Sequence, residues 1–351
     1  LGGVKSSIEA QMRHVISASR KRYVAAIRSN LFPHFEGTQL GERFLDHPLT
    51  HRASHLASVD QVNDEITEMI ATCRPAMISR FGSVELRGLL EMSRITGYSW
   101  GEKALWAMLH ANWPRWTSTA FEYLGTSPGV FPTTDRHTVE EFVSTTARAA
   151  HGIDILGSWV PGENHVKGLP ESVTIAPLPN LEPFFSSRPW THALAGKRVL
   201  IVHPFADSIK SQYSKRKLIF GDRVLLPEFE MLQIVPPQTT NAKDNFATIP
   251  FPNWLSAYEN LLGEIKGLTY DVAIIGAGSY GMPLASEIKK SGKVAVHLGG
   301  STQLLFGIWG RRWDLFPQYS QLRSEHWTKP LSHEIPGSVF KEGRGDSWAY
   351  Y

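Results

Sequence analysis

Only one of the 351 residues, Cys73, is a cysteine, so no disulfide closes within the chain and no cysteine-cluster metal site can form. A reducing, cytoplasmic location is the default expectation. Long uncharged apolar runs are also lacking: nothing approaches the roughly 20 residues that a membrane-spanning helix needs. The histidines His192, His297, His326 and His333 do not fall at zinc-motif spacings. Internal repeats and low-complexity tracts are missing too. Leu1-Gly2-Gly3 carries neither an initiator methionine nor a signal-peptide pattern, which suits a processed or trimmed end. The last absence is a basic body. Residues 1–30 hold a charge of +5 within a net charge of +3, leaving −2 for the rest. A nucleic-acid-binding domain is basic through its body, so nucleic acid is not an expected partner.

What the chain does contain is enough for a sizeable core. An apolar share of 42% with 20% charged residues marks a folded α/β-sized protein rather than a disordered one. The first segment has Ile8, Met12, Val15, Ile16, Tyr23, Ile27 and Leu31 at helical spacing, stopped by Pro33. Its basic flank suits either a solvated helix face or peripheral contact with an acidic membrane surface. Residues 1–57 therefore read as an N-terminal helix-and-loop extension, and 58–351 as the main domain. Ser58 is placed to cap a second helix whose buried face is Val59, Val62, Ile66, Met69 and Ile70. Beyond it, short apolar strands run into turns and then helices: Pro75–Ser79, Arg198–His203, Asp271–Ile275 and Val294–Leu298, with Ile153–Leu156 and Val224–Leu226 as further candidates. Such alternation predicts a Rossmann-like, mostly parallel sheet with helices on both faces. A tryptophan-dense stretch with Trp100, Trp106, Trp113 and Trp116 has the pattern of a helical core; sugar stacking is the alternative.

Glycine-rich turns after strands are where α/β proteins hold phosphates, because N–H groups and the helix dipole point there. Gly276-Ala277-Gly278-Ser279-Tyr280-Gly281 follows the strand Val272–Ile275, with Pro283 early in the next helix. As a dinucleotide fingerprint it requires a carboxylate about 20 residues on, to hold the ribose. That position falls at Val296-His297-Leu298, followed by Gly299-Gly300. A nicotinamide-dependent oxidoreductase is therefore a minor alternative. A nucleotide or phosphate cradle and a purely structural turn remain.

The turn after Ser79 differs. Arg80 and Glu85 flank Phe81-Gly82-Ser83-Val84 where strand gives way to helix. A carboxylate in a helix's first turn is favourable in any protein; alternatively Arg80 binds a phosphate or positions Glu85 as general base or metal ligand. His203-Pro204-Phe205 ends another strand, with Lys210, Gln212 and Tyr213 on the helix beyond. There a binding role and a satisfied strand-end histidine are equally open. Trp309, Arg311, Arg312, Trp313 and Asp314 read as an ordinary basic helix end.

Taken together, Ile78–Leu86, His203-Pro204-Phe205, Ile275–Ala285 and His297–Gly307 resemble the bacterial glycosyltransferases of the GT-D type. The likeness runs from about residue 60 to the C-terminus, and His297–Gly307 is its most distinctive stretch. The resemblance implies a Rossmann-like sheet that holds a nucleoside diphosphate sugar and passes the sugar to an acceptor, in surface-polysaccharide or glycan assembly. It also implies an Asp-x-Glu motif after Arg-Phe-Gly, tied to a divalent cation, Mn²⁺ or Mg²⁺, and to the donor diphosphate. Here Ser83 stands where that Asp would be and Val84 where Gly is common, leaving Glu85 as the turn's carboxylate. A serine hydroxyl brings no charge to offset a hard cation, so metal dependence is in question and Glu85 is the ligand if a metal binds.

The expectation is a glycosyltransferase with Glu85 and Arg80 as catalytic residues. The donor site is expected to comprise Phe81, Gly82, Ser83, His203, Gly276, Gly278, Ser279, Tyr280, Gly281, His297, Gly299, Gly300, Ser301 and Gln303. A glycan or lipid-linked acceptor is the expected partner, the latter suiting a cytoplasmic protein peripheral to the inner face of the membrane through residues 1–30. A non-catalytic nucleotide- or sugar-binding module is the alternative.

Overall fold

In a computed structural model, residues 46–51, 56–110, 114–117, 119–240 and 248–335 are described. The expected basic helix of residues 8–31 and most of the loop after it lie outside these residues. The chain divides into two compact units, Leu1–Asp46 with Leu90–Thr117, and His47–Leu89 with Ser118–Tyr351. Among the described residues no helix is long and apolar enough to cross a membrane.

The larger unit is built on seven parallel strands: β1 Ala76–Ser79, β2 Ile155–Ser158, β3 Thr174–Pro177, β4 Arg198–Val202, β5 Glu230–Ile234, β6 Val272–Ile275 and β7 Val294–His297. Their order is β3-β2-β1-β7-β6-β4-β5. The first and last strands are thus neighbours, paired Ala76↔Val294 through Ile78↔Val296. The chain leaves β1 toward one edge and arrives at β7 from the other. Diverging turns at such a switch point open a crevice beyond the carboxyl ends of the strands.

Every residue of β1, β2, β6 and β7 is buried, which is why these strands begin as apolar runs rather than alternating apolar with polar residues. One face of the sheet, with Ala76, Ile78, Val199, Ile201, Val272, Ile274, Val294 and Val296, shares a core with Val62 and Ile66 of α1 (Val59–Ala71) and Ile209 of a later helix. Ser58 caps α1 as its sequence position predicts, accepting from the Gln61 N–H while the Gln61 side chain returns to the Ser58 N–H. Helix α2 (Ser83–Gly97) leaves β1, and α3 (Trp100–His110) follows it. On the other side α7 (Gly281–Lys290) packs on β7, β1 and β6, with α4 (Arg136–Ala150) against α7 and α6 (Trp254–Lys266) against α4. There Phe142 meets Trp254 edge to face with ring centres 5.2 Å apart. Between α4 and α6 in sequence, α5 (Ala206–Tyr213) carries Ile209; a short α8 (Pro317–Ser320) comes last.

One strand assignment changes, and one strand, β3, is new. Val224–Leu226 is not a strand; Leu225 and Leu226 are loop residues buried in the core. The strand lies just beyond, at β5, an edge strand whose Glu230 is exposed. The other edge strand, β3, ends in Pro177 and is only half-buried. Edge strands carry charge and proline because one side has no partner, so neither shows the apolar run by which the inner strands are found. The segment after Gly299-Gly300 is a 3₁₀ stretch, Gly299–Phe306, rather than an α-helix.

In the smaller unit, Arg94 pairs with Asp46 at 2.9 Å, and its guanidinium lies 3.6 Å over the Trp106 ring. Trp106 is core, as the helical pattern predicts, but Trp100 is 77% exposed; Trp113 lies outside the described residues.

Candidate functional site

The crevice at the β1–β7 pair is a cleft of about 840 Å³ including its open mouth. Its walls come from the residues after β1 (Arg80, Gly82 to Glu85), β2 (Trp159), β4 (His203 to Phe205), β6 (Gly276, Gly278) and β7 (Gly299, Gly300, Gln303), with Arg312 added from a later turn. All belong to the larger unit.

Arg80 is 9% exposed. Its Nε donates to the Phe81 carbonyl at 3.0 Å, and its guanidinium lies 4.8 Å from the centre of the Trp159 ring. The Trp159 indole N–H donates to the same Phe81 carbonyl at 2.8 Å. Trp159 is itself pinned, because its N–H donates to the buried Glu163 carboxylate at 3.1 Å. Phe81 is a buried anchor, and its carbonyl rather than its ring serves the site. Gly299 is needed opposite: it has φ +61, and a Cβ there would sit 3.0 Å from Arg80 Nη1.

Glu85 lies in the first turn of α2. A Cβ on Gly82 would meet the Glu85 carboxylate at 2.0 Å, so the carboxylate folds back over Gly82 to the helix start. Withdrawal from water raises its pKa above the ordinary carboxylate value, against the opposing pull of Arg80, its own backbone N–H and Arg312. The neighbouring Ser83 is exposed.

Two neutral histidines border the cleft. Burial pushes His203 down to about 3. Its Nδ1 accepts the Phe205 N–H at 3.0 Å, so the neutral ring carries its proton on Nε2 and offers a donor whose charge is constant near neutral pH. His297 is likewise lowered to about 3, by burial first and then by Arg80; its Nδ1 is hydrogen-bonded to Ser79 Oγ at 3.0 Å.

The turn after β6 is divided. Gly276 and Gly278 face the cleft. A Cβ on Gly276 would lie 2.6 Å from the His203 ring and 2.7 Å from the Gly299 carbonyl; this glycine is set by the close approach of two turns. Ser279, Tyr280 and Gly281, expected as donor contacts, face inward instead. The Ser279 N–H is taken by the Pro128 carbonyl at 3.1 Å, and its hydroxyl accepts the Trp254 indole N–H at 2.8 Å. The Tyr280 ring stacks on Trp254, centres 5.7 Å apart. Gly281 leaves room for His297, whose Nε2 a Cβ would meet at 2.3 Å. The Tyr280 and Gly281 N–H groups are taken by the Ala277 and Gly278 carbonyls, so the backbone donors of Ser279, Tyr280 and Gly281 are all occupied within the protein.

Among the residues after β7, Gly299, Gly300 and Gln303 line the cleft. Ser301 is buried beneath them, donating to the Leu298 carbonyl at 3.1 Å. Gln212, on the helix after His203, holds the Gly307 and His326 carbonyls, and Tyr213 braces the Pro227–Phe229 backbone; both are structural.

Besides Ser127 and Thr240, which line the cleft from loops, three charged or aromatic participants escape the sequence reading. Trp159 stands one residue past β2, a strand whose true end lies two residues beyond the apolar run. Arg312 reads as a helix-end charge but lines the cleft. Glu182 sits in a proline-rich run of 3₁₀ turns with no periodic signal, yet it is 1% exposed and close enough to Arg80 and Arg312 for both to pull on its charge.

A resident divalent cation suits this donor set poorly. Among the described residues Glu85 is the carboxylate lining the cleft, already drawn to two arginines, and Ser83 adds no charge. Among the described residues, three side chains with ligating atoms converge at Asp207, His333 and Glu334, outside the cleft lining. There Glu334 is occupied as a helix cap, accepting from the Asp207 and Ser208 N–H groups at 2.8 and 3.2 Å and from the Ser208 hydroxyl.

No family model and no curated protein matches the chain. Among solved structures it is similar to a selenomethionine-substituted structure of domain of unknown function 1792, at 11% identity and a TM-score of 0.34, with 80% of this chain and 92% of that one covered.

Proposed function

We propose that the chain is a glycosyltransferase that moves a sugar from a nucleoside diphosphate donor to a glycan or glycoconjugate acceptor. The observation that carries this reading is the make-up of the switch-point cleft: two arginines and a carboxylate above a floor of glycines. Arg80 and Arg312 supply fixed positive charge where a diphosphate would leave, and the His203 Nε2–H supplies a neutral donor beside them. Glu85 is the group for the other half of the reaction. As the bond from the anomeric carbon to the diphosphate breaks and that to the acceptor oxygen forms, the acceptor's proton passes to the Glu85 carboxylate, and the negative charge leaves with the nucleotide. A carboxyl raised by burial holds a proton more readily than an exposed one, which suits a base. A lipid-linked acceptor, reached at a membrane surface through the basic residues 1–30, belongs to the same proposal.

A nicotinamide enzyme is disfavoured because β7, the strand after the β6 turn, ends in His297 and is followed by Leu298, with no carboxylate for a ribose. The non-catalytic reading keeps one observation on its side, the posture of Glu85 folded over its own helix start.

The experiment is a screen of nucleotide sugars for hydrolysis and transfer, with and without Mn²⁺, on wild type and Arg80→Gln. Turnover of one donor, lost in Arg80→Gln, is expected; no turnover of any donor by protein that binds nucleotides would leave a binding module.

A further inference from the structure

Glu182 is a buried carboxylate that the chemistry above does not use. It lies between two 3₁₀ turns, Leu178–Leu181 and Pro183–Phe185. Its Oε2 accepts the Tyr319 hydroxyl of α8 at 2.6 Å, and the Ser301 hydroxyl lies beside the same carboxyl, its single proton divided between Glu182 and the Leu298 carbonyl. Ser301 belongs to the stretch whose Gly299, Gly300 and Gln303 line the cleft, so Glu182 lies behind the cleft floor. The charged and titratable groups acting on it are Tyr319, Arg80 and Arg312, and both arginines face the cleft.

We propose that Glu182 is a positioning residue of the cleft: from behind the Gly299–Gln303 turn its carboxyl sets the positive field that Arg80 and Arg312 present to an anionic ligand. Charged, it offsets part of the arginines' attraction; protonated, it releases the whole of it. By linkage, a bound anion and a proton on Glu182 favour each other. Burial lifts this carboxyl to about 7, against the lowering pull of Tyr319, Ser301, Arg80 and Arg312 in that order, so the exchange falls near neutral pH. His203 and His297, at about 3, do not titrate in that window. The inference rests on the anion-binding half of the proposed function and not on sugar transfer.

Sulfate tests it, since its charge is constant from pH 6 to 8. Binding to the full chain is measured by titration calorimetry at constant ionic strength, for wild type, Glu182→Gln and Tyr319→Phe. Wild type should bind sulfate roughly 3- to 10-fold more tightly at pH 6 than at pH 8, as expected for one nearby charge at an effective dielectric of about 20. Glu182→Gln keeps an acceptor for Tyr319 and should flatten that profile, retaining only what Glu85 contributes. Tyr319→Phe removes the bond that favours the charged form, so the midpoint should move to higher pH, and this variant decides the matter if Glu182→Gln folds badly. A profile as steep in Glu182→Gln as in wild type, a midpoint that Tyr319→Phe leaves in place, or no sulfate binding at either pH overturns the proposal. Sulfate binding as expected with no sugar transfer from any donor would sink the glycosyltransferase reading alone.

Discussion

The turns after β1 and β6 are built from similar parts to opposite ends. The β6 turn has three glycines in six residues and the look of a nucleotide fingerprint, yet half of it is core: Ser279 holds the Trp254 indole, Tyr280 stacks on that indole, and Gly281 admits His297. The β1 turn has a single glycine and no fingerprint, yet it puts Arg80, Gly82, Ser83, Val84 and Glu85 on the cleft wall. A glycine in such a turn reports that something comes close. In one case the visitor is a neighbouring turn or an imidazole. In the other it is the carboxylate proposed to do the chemistry.

The largest effect expected from this contrast is on rate. Glu85→Gln keeps the side chain's size but cannot accept a proton, and a positioned base contributes about 10²- to 10⁴-fold. Transfer should fall by that factor while melting temperature stays near wild type and nucleotide affinity holds or rises, since the charge removed opposes the anion. Near-normal turnover would reduce Glu85 to a helix cap and make the two turns alike.

A paired comparison tests the division directly. Gly82→Ala places a methyl where the Glu85 carboxylate lies, at 2.0 Å; the flexible carboxylate yields, so transfer should drop at least tenfold with little loss of stability. Ser279→Ala strands the buried Trp254 indole N–H without its acceptor, which costs about 1–3 kcal/mol, and should leave nucleotide affinity unchanged. Thermal melts and binding isotherms on both variants give the answer. Should Ser279→Ala weaken nucleotide binding at unchanged stability, the β6 turn is a ligand cradle after all. Gly278→Val would not serve here, because φ of +53 and a Pro128 carbonyl 3.0 Å from the added Cβ strain the fold itself.

The same contrast explains what the sequence could reveal. The inner strands are mostly apolar because both faces are covered, so β1, β4, β6 and β7, and with them the parallel Rossmann-like sheet, are legible as short apolar runs. Strands at the edges, β3 and β5, carry proline and charge and are not. In the cleft, residues directly after an inner strand (Arg80, His203, Gly276, Gly299) are found by adjacency to that strand. Glu182 and Arg312 reach the site from irregular segments far along the chain, and only the folded path brings them there. The inward posture of Ser279 and Tyr280 is also invisible in sequence, since it depends on Pro128 and Trp254, both more than 20 residues earlier in the chain.

The smallest expected effect concerns Ser83, which is exposed at the start of α2. Ser83→Asp adds a second carboxylate two residues from Glu85, as in the motif the turn resembles. Without metal, a negative charge in the first turn should stabilise α2 by about 0.3–1 kcal/mol, a shift of no more than a few degrees. With Mn²⁺, the paired carboxylates make a site for a hard cation that one carboxylate held by two arginines does not. Mn²⁺ should therefore raise the melting temperature of the variant and not that of wild type, since a ligand bound to the native state alone stabilises it. Wild-type turnover should largely survive EDTA for the same reason. Equal Mn²⁺ responses in the two proteins, or wild-type turnover abolished by EDTA and restored by Mn²⁺, would mean that Glu85 holds a cation without a second carboxylate. The β1 turn would then be a metal site, and the base would have to be sought elsewhere in the cleft.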